Sequence, residues 1–225
     1  MLDGLKSPIR PDYKPKLQTK EPKRVQLEQY ELLQASIIGD HWLDTRDRLL
    51  VAVLFRCGLR VGEAAGLRLN SIDFQRKRFK ISSASSKNRR DRWIPFDNQV
   101  DLLLLNYLYN RPLYIDDADA LWLSDDGMGN VRGVMTKYAV LPMLRRRCVV
   151  AGLPPLNPHA FRHGFAMEML NKGGLDMYSV STLLGHASVK TTEEAYAKWL
   201  IDSLQHEYNE AQARITNVTK NSGKR

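Results

Sequence analysis

An α+β fold, mainly helical with one small antiparallel hairpin sheet, is what this sequence predicts. Apolar residues recur at helical spacing through most of the chain after residue 25. Two short β-type runs, at 79–82 and 92–96, flank a polar and basic turn. There is no internal repeat and no low-complexity block to suggest a solenoid or a disordered chain.

Taken in order, residues 1–24 read as a basic, proline-rich tail or linker. Pro8, Pro11, Pro15 and Pro22 break any helix there, and Lys6, Arg10, Lys14, Lys16, Lys20, Lys23 and Arg24 make it basic. A solvated linker and an arm lying along a polyanion fit equally well. From Val25 the chain becomes helical, with Leu27, Tyr30, Leu32 and Leu33 forming a first apolar stripe. The run 47–57 reads as a largely buried helix stopped by Gly58. A short helix follows at 62–67, then the two strands at 79–82 and 92–96. Residues 100–109 are helical, and 121–123 can add a strand. Beyond these come helices at 135–150, 158–171, 178–184, 192–199 and 201 to about 215, with a polar basic tail over 216–225.

The composition sets limits on function. With 225 residues, 43% hydrophobic and 26% charged, the chain can bury one sizeable core or two small ones. Thirty-four Lys and Arg against 25 Asp and Glu leave +9, with a pI near 9.6. That excess favours nucleic acid or an anionic membrane surface as partner. No apolar run approaches the ~20 residues needed to span a bilayer, and the N-terminus MLDGLKSPIR lacks a secretory apolar segment. Cys57 and Cys148 are too few for a disulfide scaffold and lack zinc-ligand spacing. They read as buried thiols of a reducing, cytoplasmic compartment. The charge is also concentrated. Arg76, Lys77, Arg78, Lys80, Lys87, Arg89, Arg90 and Arg92 stand against Asp91 alone, a net +7 around one hairpin. Such a run is commonly only a solvated face, but a hairpin of this density suits a groove lined by phosphates. Arg145, Arg146 and Arg147 cluster late in a helix, where cations are favourable in any case.

Three constellations carry chemistry. In Asn157-Pro-His-Ala-Phe-Arg-His163, Asn157 is a good N-cap and Pro158 suits the first helical position. His159 then lies in the first turn, with Arg162 three residues on. Together they aim a proton-transfer group and a fixed cation at the anion site of a helix N-terminus. His159 and His163 also have the i, i+4 spacing of a zinc helix, but Ala160 stands where the metalloprotease motif needs its general-base Glu, so no metal is expected. In Cys57-Gly-Leu-Arg-Val-Gly-Glu63, Arg60 sits in a tight connection, with Glu63 placed to hold its guanidinium in a fork for bidentate phosphate contact. The same pair could be a plain ion pair. In the run 183–199, Gly185 ends a helix and frees His186 to point from a loop, Thr191 and Glu194 have capping-box spacing, and Tyr196 lies in the next helix.

These residues together resemble the tyrosine recombinases, the phage-integrase family. Gly58-Leu-Arg-Val-Gly-Glu63 resembles the box of that family's first catalytic arginine. Ser86-Lys-Asn-Arg-Arg-Asp-Arg-Trp-Ile-Pro95 resembles its hairpin-lysine box and places Lys87 at that lysine. Pro158-His-Ala-Phe-Arg-His163 resembles the His-x-x-Arg box, Leu184-Gly-His186 the second-histidine box, and Thr192-Glu-Glu-Ala-Tyr196 the nucleophile box. The boxes follow family order. The resemblance implies a catalytic DNA breaking-and-rejoining domain over 25–215. It also implies a site of Arg60, Lys87, His159, Arg162, His186 and Tyr196, with Glu63 in support. Arg76, Arg78, Lys80, Arg89, Arg90 and Arg92 are the expected DNA contacts. Family members usually carry a further helical DNA-binding domain ahead of the catalytic one. Here either the tail is an interdomain linker of a fragment, or the chain is a short member lacking that domain.

By the same resemblance, Tyr196 attacks phosphorus to form a 3′-phosphotyrosine, Arg60 and Arg162 clamp the phosphate oxygens, and Lys87 protonates the 5′ leaving oxygen. His159 assists proton movement at Tyr196, and His186 hydrogen-bonds the phosphate. No cofactor, metal or ATP is implied. The implied partners are double-stranded DNA and three further copies, a homo-tetramer on paired sites in the nucleoid, with no membrane. A type IB-like topoisomerase and a non-catalytic DNA-binding regulator on the same scaffold are the alternatives.

Overall fold

The structure, a computed structural model, describes residues 24–82, 91–114, 116–186, 188–190, 192, 193, 196, 208 and 209. The hairpin turn with Lys87, Arg89 and Arg90 lies outside the described residues, as do nearly all of the expected tails. Of the two expected C-terminal helices, only Thr192, Glu193, Tyr196, Tyr208 and Asn209 are described, all helical.

The element order is α1 (Leu27–Ser36), α2 (Trp42–Arg56), α3 (Val61–Ala65), a 3-10 turn (Leu69–Ser71), β1 (Ile72–Asp73), β2 (Arg78–Ile81), β3 (Arg92–Pro95), α4 (Asn98–Asn110), β4 (Leu123–Asp125), β5 (Val131–Val134), α5 (Lys137–Val150), α6 (Pro158–Asn171) and α7 (Met177–Leu184). Helix α2 is the centre. Leu49, Leu50, Val51, Ala52, Val53 and Leu54 are all buried, as befits a helix covered on every side. It packs on α1, α3, α4 and α6. It begins at Trp42 rather than at 47, with the His41 Nδ1 accepting from the Leu43 N–H at 3.4 Å. Its first turns hide their polarity in an internal network. Arg46 Nε and Nη2 donate to Asp47 Oδ1 at 2.9 and 2.7 Å, and Arg147 reaches Asp47 Oδ2 and Asp44 Oδ1 at 2.8 and 2.7 Å. Arg147, one member of the second basic cluster, is thus spent on holding α5 to α2. Buried charges survive when paired in this way.

The sheet has three strands in the order β1-β2-β3, all antiparallel, one more than the sequence indicated. Phe79 pairs with both Ile72 and Ile94, and Ile81 pairs with Arg92. Phe79, Ile81, Ile94 and Phe96 turn to the core. A separate hairpin, β4–β5, follows α4. Its second strand, Val-Arg-Gly-Val, shows too little alternation to be read from sequence. The strand expected at 121–123 starts at its end, because Leu121 and Trp122 are core residues instead. The Trp122 indole Nε1 donates to the Ala64 carbonyl at 2.6 Å and so anchors α3.

One close approach sets the architecture around the site. Gly58, at φ +62°, follows α2 immediately, and a Cβ there would lie 2.3 Å from Phe165 Cδ1 of α6. Only glycine lets α6 come so near with that backbone conformation. The contact places Arg162 beside the Gly58 carbonyl. Phe165, Ala166, Met167, Val180, Leu184 and Tyr196 form a second, smaller core beside the main one. Among the described residues, no helix is long and apolar enough to cross a membrane. Cys57 and Cys148 are both free and buried, and burial pushes the Cys57 thiol up.

Candidate active site

Arg60 caps α3 with extended backbone (φ −66°, ψ 149°). Glu63, one turn on, reaches back, its Oε2 accepting from the Arg60 backbone N–H at 2.9 Å and its Oε1 from Arg60 Nη1 at 3.0 Å. The Arg60 guanidinium also donates to the carbonyls of Leu184 (3.2 Å) and Gly185 (3.1 Å) at the end of α7. Arg162, only 5% exposed, donates to the Gly58 carbonyl at 2.8 Å and to the same Leu184 carbonyl at 2.5 Å. Two guanidiniums therefore converge on one carbonyl oxygen. Burial, then the nearby Arg60 charge, push the Arg162 guanidinium down to about 9, with Glu63 partly offsetting them; it stays cationic at neutral pH.

A third guanidinium joins them. Arg92 grips Glu63 with both terminal nitrogens, Nη1 to Oε1 at 3.1 Å and Nη2 to Oε2 at 2.8 Å. Glu63 is 1% exposed. Burial by itself would raise its carboxyl, but the hydrogen bonds from Arg92 and from the Arg60 N–H outweigh that and hold it below the ordinary range. Three cations around one carboxylate make a positive cradle, built before any ligand arrives, and a pre-organised cluster of this kind can hold an anion.

The proton-handling groups stand on the neighbouring face. Asn157 Oδ1 caps α6 by accepting from the Ala160 N–H at 3.0 Å, and Pro158 opens the helix. His159 is exposed in the first turn. Its Nε2 lies 3.0 Å from His163 Nε2, and His163 Nδ1 lies 3.1 Å from the Tyr196 hydroxyl. Tyr196 is 5% exposed, and burial pushes its phenol up to about 12, with Arg162 opposing. Burial, followed by His159 and Arg162, brings His163 down to about 4. His186 is half-buried on the loop after α7, its Nδ1 2.6 Å from Thr192 Oγ1. It too falls to about 4, through burial and then Arg162 and Arg60. Gly185 makes that loop possible: it adopts φ +62°, and a Cβ there would lie 2.8 Å from Arg92 Cζ.

The fold thus brings Arg60, Glu63, His159, Arg162, His186 and Tyr196 into one site. Lys87, Arg89 and Arg90 lie outside the described residues. Of the hairpin cations expected on DNA, Arg76 is exposed and 3.7 Å from Asp73, and Arg78 bonds Asp73 at 2.9 Å while stacking 4.0 Å over the Trp93 ring. Lys80 is 3.7 Å from Asp91. Arg92 departs from expectation. It turns inward to Glu63 with its side chain 13% exposed, instead of facing outward with its neighbours. The signal lay in strand alternation: Arg92 shares a face with Ile94, 1% exposed, and not with Trp93, 44% exposed. Sequence spacing assigns His163 no contact with Tyr196; its i, i+4 relation to His159 has the form of a metal site, whereas in the fold the two imidazoles hydrogen-bond each other and His163 meets the Tyr196 hydroxyl. Among the described residues no group of three or more His, Cys, Asp and Glu side chains could hold a metal ion.

Comparison with known proteins identifies relatives of the chain and of its fold. Tyrosine recombinase XerD of Proteus mirabilis is 32% identical over 183 residues, covering 80% of this chain and 56% of that protein. Tyrosine recombinase XerC of Alcanivorax borkumensis is 31% identical over 183 residues, covering 80% and 57%. The chain therefore spans little more than half the length of these curated relatives. The crystal structure of XerA recombinase superposes with a TM-score of 0.69 at 26% identity, over 92% of this chain and 66% of that one. XerH site-specific recombinase, solved bound to its difH substrate before cleavage, superposes with a TM-score of 0.64 at 25% identity, over 78% and 50%. Residues 23–200 match the family model described as Phage integrase family. With the arginine, histidine and tyrosine boxes assembled into one site inside that matched span, the chain belongs to the phage integrase family.

Proposed function

We propose that this chain is the catalytic part of a site-specific DNA recombinase of the integrase type, cutting and rejoining DNA through a 3′-phosphotyrosine. The observation that carries the reading is the convergence of Arg60 and Arg162 on the Leu184 carbonyl, in the same site as the sheltered Tyr196 hydroxyl. A phosphodiester seated there would meet two guanidinium forks, while Tyr196 Oη supplies the nucleophile. The Oη–P bond forms, the P–O5′ bond breaks, and the departing 5′ oxygen takes a proton, which we assign to Lys87. His186 would hydrogen-bond a phosphate oxygen. Glu63 and Arg92 hold Arg60 in register. Bond energy stays in the phosphotyrosine, so neither ATP nor metal takes part. The substrate class is double-stranded DNA, a reading supported by similarity of fold to the Tn1549 transposon integrase, which was solved in complex with transposon right end DNA. Strand exchange between two duplexes calls for four protomers, so the working form is a homo-tetramer on paired sites, in the cytoplasm where the nucleoid is.

The test is covalent trapping. Wild-type protein should leave an adduct with site DNA that survives denaturing electrophoresis, with EDTA present and nucleotide absent. Tyr196→Phe, which keeps the ring in its core, should leave none while binding DNA as before. Adduct formed by Tyr196→Phe would remove Tyr196 from the role. A requirement for a divalent cation would remove the side-chain-only mechanism.

A further inference from the structure

We propose that His163 takes the phenol proton from Tyr196 as Oη attacks phosphorus, while passing its own Nε2 proton outward to His159. This rests on the phosphotyrosine reading above, but it assigns the contact with the nucleophile to His163, which the box resemblance left without a role, and makes His159 act at one remove.

The geometry is a continuous chain. Among the described residues, His163 is the sole hydrogen-bond partner of the Tyr196 hydroxyl, at 3.1 Å, and its other ring nitrogen meets His159 Nε2 at 3.0 Å. The two imidazoles are one helical turn apart on α6 and nearly perpendicular, 82° at a centroid separation of 4.4 Å. Each contact needs one proton. With His163 protonated at Nε2, the phenol O–H donates to Nδ1 and Nε2–H donates to His159, so both contacts are satisfied and both protons point toward solvent. Tyr196 is buried, and the His163–His159 pair links its hydroxyl to an exposed imidazole.

Electrostatics explains why one histidine does not suffice. The groups facing His163 are His159 and Arg162 on its own helix, His186 from the loop after α7, and Tyr196 itself. Burial, with His159 and Arg162 nearby, brings His163 down to about 4, so an imidazolium is disfavoured there at neutral pH. Moving its second proton on as it receives the first keeps His163 neutral throughout. The charge appears on His159, which is exposed and can shed it to water. The balance closes: Oη–P forms, P–O5′ breaks, the phenol proton ends on His163 Nδ1, the former Nε2 proton ends on His159, and the 5′ oxygen is protonated separately by the general acid.

The probe is duplex DNA selected from a randomised pool by its retention on wild-type protein through denaturant. Single-turnover adduct formation on that duplex is then followed from pH 6.5 to 10 for wild type, His163→Phe and His159→Phe. Wild type should be nearly flat with pH above neutrality. His163→Phe should be slowed roughly a hundredfold at pH 7, and its rate should climb about tenfold per pH unit, because hydroxide must now remove the phenol proton. His159→Phe should share the slope. A flat profile in His163→Phe, whatever its rate, would reduce His163 to packing and overturn the proposal. Nitrogen-15 NMR of the histidines in DNA-free wild type gives a second readout that needs no variant to fold: His163 should carry its proton on Nε2, and a proton on Nδ1 overturns the relay. Wild-type protein that captures no duplex, or Tyr196→Phe that does, would instead overturn the phosphotyrosine reading, and this proposal with it.

Discussion

Glu63 carries the charge balance of the site. It is buried against Arg60 and Arg92, with Arg162 close by. Glu63→Gln keeps the shape but leaves those guanidiniums crowded with no anion among them. Removing one partner of a buried pair typically costs about 3–5 kcal/mol, and that loss is expected in urea unfolding at pH 7. A loss below about 1 kcal/mol would mean the pair behaves as a surface ion pair. Three residues also predict acid lability. The Glu63 carboxyl titrates lower in the folded protein than in the unfolded chain, so its contribution is intact above the ordinary carboxylate range and fades as pH falls through it. His163 and His186 drop from 6.5 to about 4 on folding, so the unfolded chain takes up their protons first and stability is lost as pH falls across that window. The melting temperature should decline from pH 6.5 downward, steepening where Glu63 joins. A flat trace between pH 6.5 and 4.5 would contradict the burial of both imidazoles.

At the scale of elements, the turn after α7 is the piece on which the site depends most. Its Leu184 and Gly185 carbonyls receive Arg60 and Arg162, and its glycine leaves room for Arg92. Gly185→Ala forces a side chain into a left-handed conformation and onto a guanidinium. Strain of this kind costs about 1–3 kcal/mol, visible as a lower melting temperature. Adduct formation by the fraction still folded should fall further than that loss explains, since both arginines lose their register. An unchanged rate would show that the carbonyls do not position them. Element existence was largely legible here. The stop at Gly185, the cap at Asn157 and the buried run of α2 all follow from local rules. The start of α2 and strand β5 did not. In α2 the apparent polarity of Asp44, Arg46 and Asp47 is cancelled by one another and by Arg147, a hundred residues away in sequence from Asp47; β5 exists because β4 is there to pair with it.

For the whole molecule, DNA binding should be electrostatic. Much of the hairpin charge is paired within the protein, Arg76 and Arg78 with Asp73, Lys77 with Asp101 and Lys80 with Asp91. On the proposed function, those cations would exchange a carboxylate for a phosphate on binding. With about six phosphate contacts, raising salt from about 50 to 200 mM should weaken affinity roughly a thousandfold. Replacing Arg89 and Arg90 together by Ala should shallow the logarithmic slope by up to about two units if both touch phosphate. Titrations on selected and random duplexes at several salt concentrations measure both. Binding that barely responds to salt would remove the hairpin from the interface.

The sequence by itself determined the helical class and the hairpin, because caps and glycine stops are local, and its family resemblance singled out Arg60, His159, Arg162, His186 and Tyr196 as a candidate site. It did not determine which way Arg92 faces or what His163 touches. Arg92 is drawn inward because a buried Glu63 needs a second cation, and that demand arises only once α3, β3 and the end of α7 have met. His163 reaches the Tyr196 hydroxyl only because Tyr196, 33 residues further along, is folded back into the small core with Phe165 and Leu184. Pairings across that distance depend on packing, and packing is a property of the assembled chain.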